Sequence, residues 1–116
     1  MKIFRSKDAK QVPKEGFMLN VLAEIDLNQE ISSVGFFRPD VPSNGRLRNH
    51  YHQHLTEFMI FLNDAKIKFD SEIYDVSEGD LVMICPGEVH EVFCGAEGTM
   101  PIVIKLPTNR EDTKVP

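Results

Sequence analysis

The chain is built from short apolar runs rich in Val, Ile and Phe, separated by Gly, Pro, Asn and Asp. Some of them alternate, as in Lys66-Ile67-Lys68-Phe69, and strict alternation is typical of a strand that buries one face. No segment keeps a helical period over three turns. We therefore predict an all-β chain that forms a sandwich or barrel.

The predicted strands end at prolines, glycines and other turn-forming residues. They are residues 17–25, 31–38, 46–52, 57–62, 66–70, 72–76, 80–84, 89–94 and 102–106. Asp70-Ser71 predicts a tight turn between two of them. Residues 20–28 also fit a short helix, and the sequence leaves both alternatives open.

A single domain over residues 1–116 is the expectation from length alone. The formal net charge of −5 argues against a nucleic-acid partner, which would need a concentrated basic surface. The first residues lack the apolar run of a signal peptide, and no stretch approaches the ~18 apolar residues of a membrane span. We expect a cytoplasmic protein whose Cys85 and Cys94 are reduced.

Three of the four histidines, His50, His52 and His54, lie within five residues, and His90 follows the Pro86-Gly87 turn. Side chains at i and i+2 of a strand share a face, so His50 and His52 can direct two imidazoles to one point. Imidazoles and a carboxylate together are common ligands of a divalent transition metal. The pattern therefore predicts a metal site.

Glu57 is the candidate carboxylate ligand. It lies five residues beyond His52, an odd offset that would turn it to the opposite face of a continuous strand. A chain reversal at residues 53–56 removes this objection and places Glu57 beside the histidines. His54 shares the parity of His50 and His52 and is a competing ligand, but it would then lie inside the proposed turn.

These residues resemble the two-motif signature of the cupin superfamily, over about 50 of the 116 residues. The first motif, His-x-His-x(4)-Glu, is matched by His50, His52 and Glu57. The second is matched by Gly79-Asp80 and then Pro86-Gly87-x-x-His90. Two positions depart from the pattern: Asn63 or Asp64 replaces a glycine, and Cys85 replaces the first proline of the second motif. Neither departure removes a candidate ligand.

The resemblance implies a double-stranded β-helix, or jelly-roll, barrel with one metal held by His50, His52, Glu57 and His90. Cupins often form homodimers through an edge strand, so we expect a homodimer. Nitrogen and oxygen ligands without thiolate suit Fe, Mn, Ni, Co or Zn, and the order of affinities does not choose among them.

The candidate substrate contacts follow from strand parity and from position in the chain. Arg48 shares the parity of His50, and its guanidinium would attract an anionic or hydroxyl-rich ligand. The remaining candidates are Met59, Phe61 and Cys85, with core packing as the simpler role for Phe61. Arg46 either lies at the mouth of the pocket or forms a salt bridge at its rim.

Three functions fit these residues. The first is a metal-dependent enzyme that acts on a small oxygen-rich metabolite, by dioxygenation or by isomerisation or epimerisation of a sugar or keto acid. The second is a non-catalytic protein that binds or senses a small ligand. The third is a metal-independent sugar-modifying enzyme that uses His90 and Glu57 as acid and base, which the complete ligand set disfavours. The sequence favours the enzyme with a metal and does not identify its substrate.

Overall fold

The computed structural model describes residues 1–116 as eleven β-strands and one short 3-10 helix, Ser6–Asp8. The strands lie in two main sheets and one separate hairpin. They are β1 (Lys2–Phe4), β2 (Lys10–Lys14), β3 (Phe17–Val21), β4 (Gly35–Phe37), β5 (Arg46–His50), β6 (Thr56–Ile60), β7 (Ala65–Phe69), β8 (Glu72–Val76), β9 (Leu81–Ile84), β10 (His90–Phe93) and β11 (Ile102–Leu106). The prediction of an all-β chain is confirmed.

The two main sheets are antiparallel and enclose one apolar core. The larger has the order β1-β9-β6-β11-β4 and the smaller the order β5-β10-β7-β8. Both contribute buried residues to a single cluster, which contains Met59, Phe61, Ala65, Ile67, Val76, Val82, Ile84, Val92 and Val103. Alternate residues of the central strands, such as Ala65 and Ile67 or Val82 and Ile84, fill this core, as expected when a sheet buries one face.

The hairpin of β7 and β8 follows the predicted alternation closely. Ala65 and Ile67 are buried while Lys66 and Lys68 are exposed. The chain reverses at Asp70-Ser71, where φ is 51° and 67°. Two successive residues with positive φ are typical of the type I′ turn, whose twist matches that of the flanking strands.

Several strand boundaries differ from the sequence prediction. Strand structure covers only Phe17–Val21 and Gly35–Phe37 of two longer predicted runs, and residues 22–28 form neither strand nor helix. The β1 and β2 strands were not predicted. β2 contains Pro13 and three polar residues, so its composition gives little indication of a strand. Pro13 is tolerated because β2 pairs with β3 alone.

A β-bulge interrupts β5 next to its last residue. His50 lies opposite His90, but Leu47 lies opposite Val92. An interval of three residues in β5 is therefore paired with an interval of two residues in β10, which leaves one extra residue in β5. Leu47 and His50 are half-buried, whereas Arg48 and Asn49 are exposed. Arg48 is therefore exposed and not buried beside His50, because a bulge shifts the alternation by one residue.

No helix in this chain has both the length and the apolar character needed to cross a membrane.

Candidate metal centre

Three histidines converge at one end of the space between the two sheets. His50 ends β5 and is paired across the sheet with His90, the first residue of β10. His52 lies in the loop that leads from β5 to β6. One ring nitrogen from each lies within 4.8 Å of the other two. This group could hold a metal ion.

The Glu57 carboxylate reaches the same point from the opposite sheet, in β6. Its side chain is 3% exposed, with Oε2 3.2 Å from His52 Nε2 and Oε1 3.4 Å from His90 Nε2. The bend at Gln53 and His54 lies between His52 and β6, within the predicted reversal. The structure thus brings together all four residues that the sequence proposed as ligands.

Backbone carbonyls fix the orientation of all three imidazole rings. Nδ1 of His50 lies 2.5 Å from the Arg48 carbonyl oxygen and Nδ1 of His52 lies 2.6 Å from that of Asp112. Nδ1 of His90 lies 3.0 Å from the Glu88 carbonyl oxygen. A carbonyl oxygen can only accept, so each Nδ1 carries the proton and each Nε2 keeps its lone pair. Metal-binding histidines are commonly oriented in this way.

The buried polar atoms at this point lack hydrogen-bond partners. Nε2 of His52, Nε2 of His90 and Oε1 of Glu57 are buried and make no hydrogen bond of normal geometry, although each Nε2 lies 3.2 or 3.4 Å from a Glu57 oxygen. A buried polar atom without a partner costs about 1–3 kcal/mol, and native structures contain few of them. Two imidazole lone pairs and a carboxylate oxygen facing one point fit a divalent transition metal, with His50 as a further ligand.

The ionisation of the metal-free cluster follows from burial and from the close carboxylate. Burial favours the neutral form of Glu57, yet the adjacent His52 and His90 hold the pKa of its carboxyl well below the usual range. Burial lowers the pKa of His50. Burial acts in the same direction on His52, but Glu57 outweighs it and raises the pKa of that imidazole. A proton and a metal ion therefore compete for the His52 lone pair.

The carboxy-terminal segment holds the His52 loop in place, which sequence reasoning missed. The buried Asp112 carboxylate accepts hydrogen bonds from the backbone N–H groups of Gln53, His54 and Leu55, at 2.8, 2.9 and 3.1 Å. Its own carbonyl accepts from the His52 ring. No local signal marks Asp112, because its partners lie about 60 residues earlier in the chain.

The second cupin-like motif supports the same loop from the other side. The backbone N–H of Gly87 donates a 2.7 Å hydrogen bond to the carbonyl oxygen of His52. Gly87 has a φ of 83°, a conformation that favours glycine. The Pro86-Gly87 turn therefore positions His52 as well as leading into the strand that begins with His90.

A cavity of about 590 Å³ opens above the cluster and has His50 and Glu57 in its wall. Of the predicted substrate contacts, Met59 lines the cavity, and Arg48 lines it from an exposed position. The wall of the cavity consists of Phe37, Arg38, Pro39, Leu47, Arg48, Asn49, His50, Glu57, Met59, Val103, Lys105, Arg110, Thr113 and Val115.

Two predicted substrate contacts lie elsewhere. Phe61 is completely buried in the apolar core, because a strand continuing from Glu57 carries its inward side chains away from the open end. The backbone N–H of Cys85 donates to the Glu88 carboxylate, which also pairs with the amino terminus. Neither residue lines the cavity.

The remaining sequence alternatives concern His54 and Arg46. His54 is exposed and lies outside the group of three histidines. Its backbone N–H donates to the Asp112 carboxylate at the bend, and its side chain points away from the cluster. The guanidinium of Arg46 lies 3.6 Å from the Glu91 carboxylate. Arg46 therefore forms a salt bridge at the rim and is not part of the cavity wall.

Comparison of the sequence with protein-family models and with curated proteins gives no match. The structure, in contrast, is similar to several solved structures. A double-stranded β-helix protein from Klebsiella pneumoniae superposes with a TM-score of 0.62 at 15% identity, over 77% of this chain and 81% of that one. A cupin protein from Bacteroides fragilis gives 0.57 at 13% identity, over 76% and 86%.

A third similar structure is the DMSP lyase DddQ from Ruegeria pomeroyi. It superposes with a TM-score of 0.63 at 16% identity, over 72% of this chain and 43% of that one. Identities this low establish the fold and not the activity. The chain has a double-stranded β-helix fold, as the resemblance of the two motifs implied.

Proposed function

We propose that this chain is a metal-binding cupin in which His50, His52, Glu57 and His90 hold one divalent transition metal. The observation that carries the proposal is the set of buried, unpaired atoms on His52, His90 and Glu57. The three Nδ1–carbonyl contacts support it, because they leave each Nε2 free to bind. Iron, manganese, nickel, cobalt and zinc all suit this donor set.

The function that this site supports best is catalysis on a small oxygen-rich molecule. Four protein ligands leave two positions of an octahedral ion free, where the ion would act as a Lewis acid and a template. The cavity above His50 and Glu57 gives a ligand access to the side of the cluster on which these two residues lie. Dioxygenation, or isomerisation or epimerisation of a sugar or keto acid, fits such a site.

The alternative is a protein that binds or senses a small ligand without converting it. The open cavity serves this role equally well. The distinction is turnover, because a binding protein returns its ligand unchanged and an enzyme releases a product.

The experiment is anaerobic purification followed by elemental analysis of the wild type and of His50→Ala, His52→Ala and His90→Ala. We expect about one metal ion per wild-type chain and strong loss in all three variants. His54→Ala is the matched control, with an exposed histidine from the same loop. Full metal occupancy in all three ligand variants would contradict the proposal.

Incubation of the metal-loaded protein with sugars, keto acids and dioxygen then separates enzyme from binding protein. Oxygen consumption by an iron-loaded sample would favour dioxygenation. Product formation without oxygen would favour isomerisation, and tight binding without any product would favour the sensing role.

We also propose that the chain forms a homodimer. The hairpin of β2 and β3 pairs with no other strand, and it exposes Phe17, Met18 and Leu19 by 62%, 47% and 42%. An isolated two-stranded hairpin is marginally stable in water, so a second copy packed on it would stabilise both. Light scattering should give twice the mass of the chain for the wild type and the monomer mass for Phe17→Ser. A monomeric wild type would contradict this proposal.

A further inference from the structure

The charge of the cavity wall is opposite to that of the chain as a whole. The chain has 18 acidic and 13 basic residues, a net charge of −5. The cavity wall contains four basic side chains, Arg38, Arg48, Lys105 and Arg110, and Glu57 as its only acidic one. Basic residues are thus concentrated in a cavity through which a small ligand can approach the metal cluster.

The arginines of this cavity differ from the other arginines in how they are paired. Arg5 and Arg46, outside the cavity, form salt bridges with Asp80 and Glu91. The remaining three arginines, Arg38, Arg48 and Arg110, all line the cavity, and none has a carboxylate within salt-bridge distance. A guanidinium has five donors in a planar fork that matches a carboxylate or a phosphate.

Arg38 is also fixed in position. Its Nε and Nη2 donate to the carbonyl oxygen of Met100, at 3.1 and 2.7 Å. This contact satisfies one edge of the guanidinium and holds the group at the cavity rim. Its Nη1 has no partner within the chain and can still donate to a ligand.

Lys105 supplies a positive charge deeper in the cavity. It lies on β11 opposite Glu57, and its side chain is only 16% exposed. Nζ lies 3.7 Å from Glu57 Oε2 and 5.3 Å from the centre of the Phe37 ring. The ammonium group donates no hydrogen bond at normal distance within the chain, although it has three donors. Metal binding by Glu57 would leave this charge still less compensated.

Apolar side chains form much of the remaining wall. Phe37, Leu47, Met59, Val103 and Val115 lie between and around the cations. A mostly apolar lining with a few placed charges is typical of a small-molecule site that recognises one polar group and an apolar body.

We propose that the cavity binds a small anion, with its carboxylate or phosphate on Lys105 and the unpaired arginines and an apolar part against Phe37 and Leu47. This inference rests on the proposed function, since the anion would be the molecule that meets the metal. It narrows the substrate class from oxygen-rich molecules in general to anions with an apolar portion. Neutral sugars are excluded.

The test is calorimetric titration of the zinc-loaded and the metal-free chain with three probes of similar shape. Phenylpyruvate carries a carboxylate, phenyl phosphate carries a phosphate, and phenylacetone is neutral. We expect at least one anion to bind, with an affinity that falls as salt is added, and phenylacetone to bind about tenfold more weakly or not at all. The stronger of the two anions identifies the charged group. Equal binding of phenylacetone, or no binding of either anion, would overturn the inference.

Variants locate the binding to the cavity. Lys105→Met and the double change Arg48→Ala with Arg110→Ala should each weaken anion binding about tenfold or more, as expected for loss of charged hydrogen bonds. Arg46→Ala is the matched control, because it removes an arginine from the same strand as Arg48 but outside the cavity, and should leave binding unchanged. The exposed arginines keep the test valid if Lys105→Met fails to fold. Unchanged affinity in the double arginine variant would overturn the inference.

Metal content measured on the same samples separates the two proposals. Zinc bound at one ion per chain without anion binding would reject the anionic ligand and leave the metal site standing. Anion binding to a chain that takes up no metal would reject the proposed metal site and retain the anion-binding cavity.

Discussion

The interior of this barrel has two regions that both contain fully buried side chains and differ in chemistry. In the apolar core, Ile67 and Val92 are 0% exposed, and in the metal centre His90 is also 0% exposed. Carbon atoms in the core contact other carbon atoms, whereas buried nitrogen and oxygen atoms in the centre have no partner. Strand β10 contributes to both regions, with His90 at one and Val92 two residues further on the same face. Stability therefore depends on one region and ligand binding on the other.

The largest effect expected is on metal binding by the polar region. His90→Ala should lower metal affinity by more than the roughly 10- to 100-fold that loss of a supporting contact causes, since it removes a ligand. The metal-free variant should lose some stability, since a buried imidazole and its contact with the Glu88 carbonyl are removed, but it should still fold, because the apolar core is unchanged. Metal titration and calorimetry measure the two quantities. Failure of the metal-free variant to fold would show that the two regions are not separate.

Phe61→Ala should give the opposite pattern. Phe61 is completely buried in the core and does not line the cavity. Its truncation should lower the free energy of unfolding by about 3–5 kcal/mol. Metal affinity of the folded fraction should stay close to the wild-type value. Urea unfolding with parallel metal titration checks this, and a selective loss of metal affinity would place Phe61 at the site after all.

Two buried carboxylates sharpen the comparison, because both bind backbone N–H groups but only one of them does so at the metal centre. Asp112 holds the His52 loop, while Asp80 accepts from the backbone of Ser6 and Ser77, away from the metal centre. Each change to Asn should cost about 1–3 kcal/mol of stability, because an amide nitrogen cannot accept these bonds. Only Asp112→Asn should also lower metal affinity, by about 10- to 100-fold. Equal metal affinity in the two variants would show that Asp112 supports the fold alone.

Acid should weaken the Asp80 contact in a predictable direction. Burial raises the pKa of this carboxyl, but the Ser6 and Ser77 N–H groups and Arg5 outweigh it, so its pKa in the folded chain is lowered. The stabilisation is therefore present above the unfolded pKa of about 3.9 and lost as the pH falls through the folded value. Unfolding free energies at pH 6 and pH 3 should differ less in Asp80→Asn than in the wild type. An unchanged difference would contradict the assignment.

The smallest effect is expected at His54, next to the metal centre in sequence but outside it in space. Its side chain is exposed, so His54→Ala should leave metal stoichiometry, metal affinity and stability close to wild type. If this variant loses metal and His50→Ala keeps it, the ligand register shifts by two residues.

The sequence by itself determined the all-β architecture, the Asp70-Ser71 turn and the four residues of the candidate centre. These features depend on local patterns: alternation along a strand, turn-forming residues, and histidines two residues apart. Strand parity was less reliable where the ladder is irregular. It placed Arg48 inside because the pattern of β5 alone does not reveal the bulge against β10.

The tertiary structure alone decided what surrounds the centre. Asp112 is about 60 residues from the histidine that it orients, and Lys105 meets Glu57 only because β11 pairs with β6. The cavity collects arginines from β5, from the end of β4 and from the carboxy-terminal segment. Short-range sequence patterns do not encode such neighbours, because strand pairing between distant segments depends on how the whole core packs. The candidate metal ligands could thus be predicted from local sequence patterns. The groups that orient these ligands, and the charge of the cavity beside them, could not.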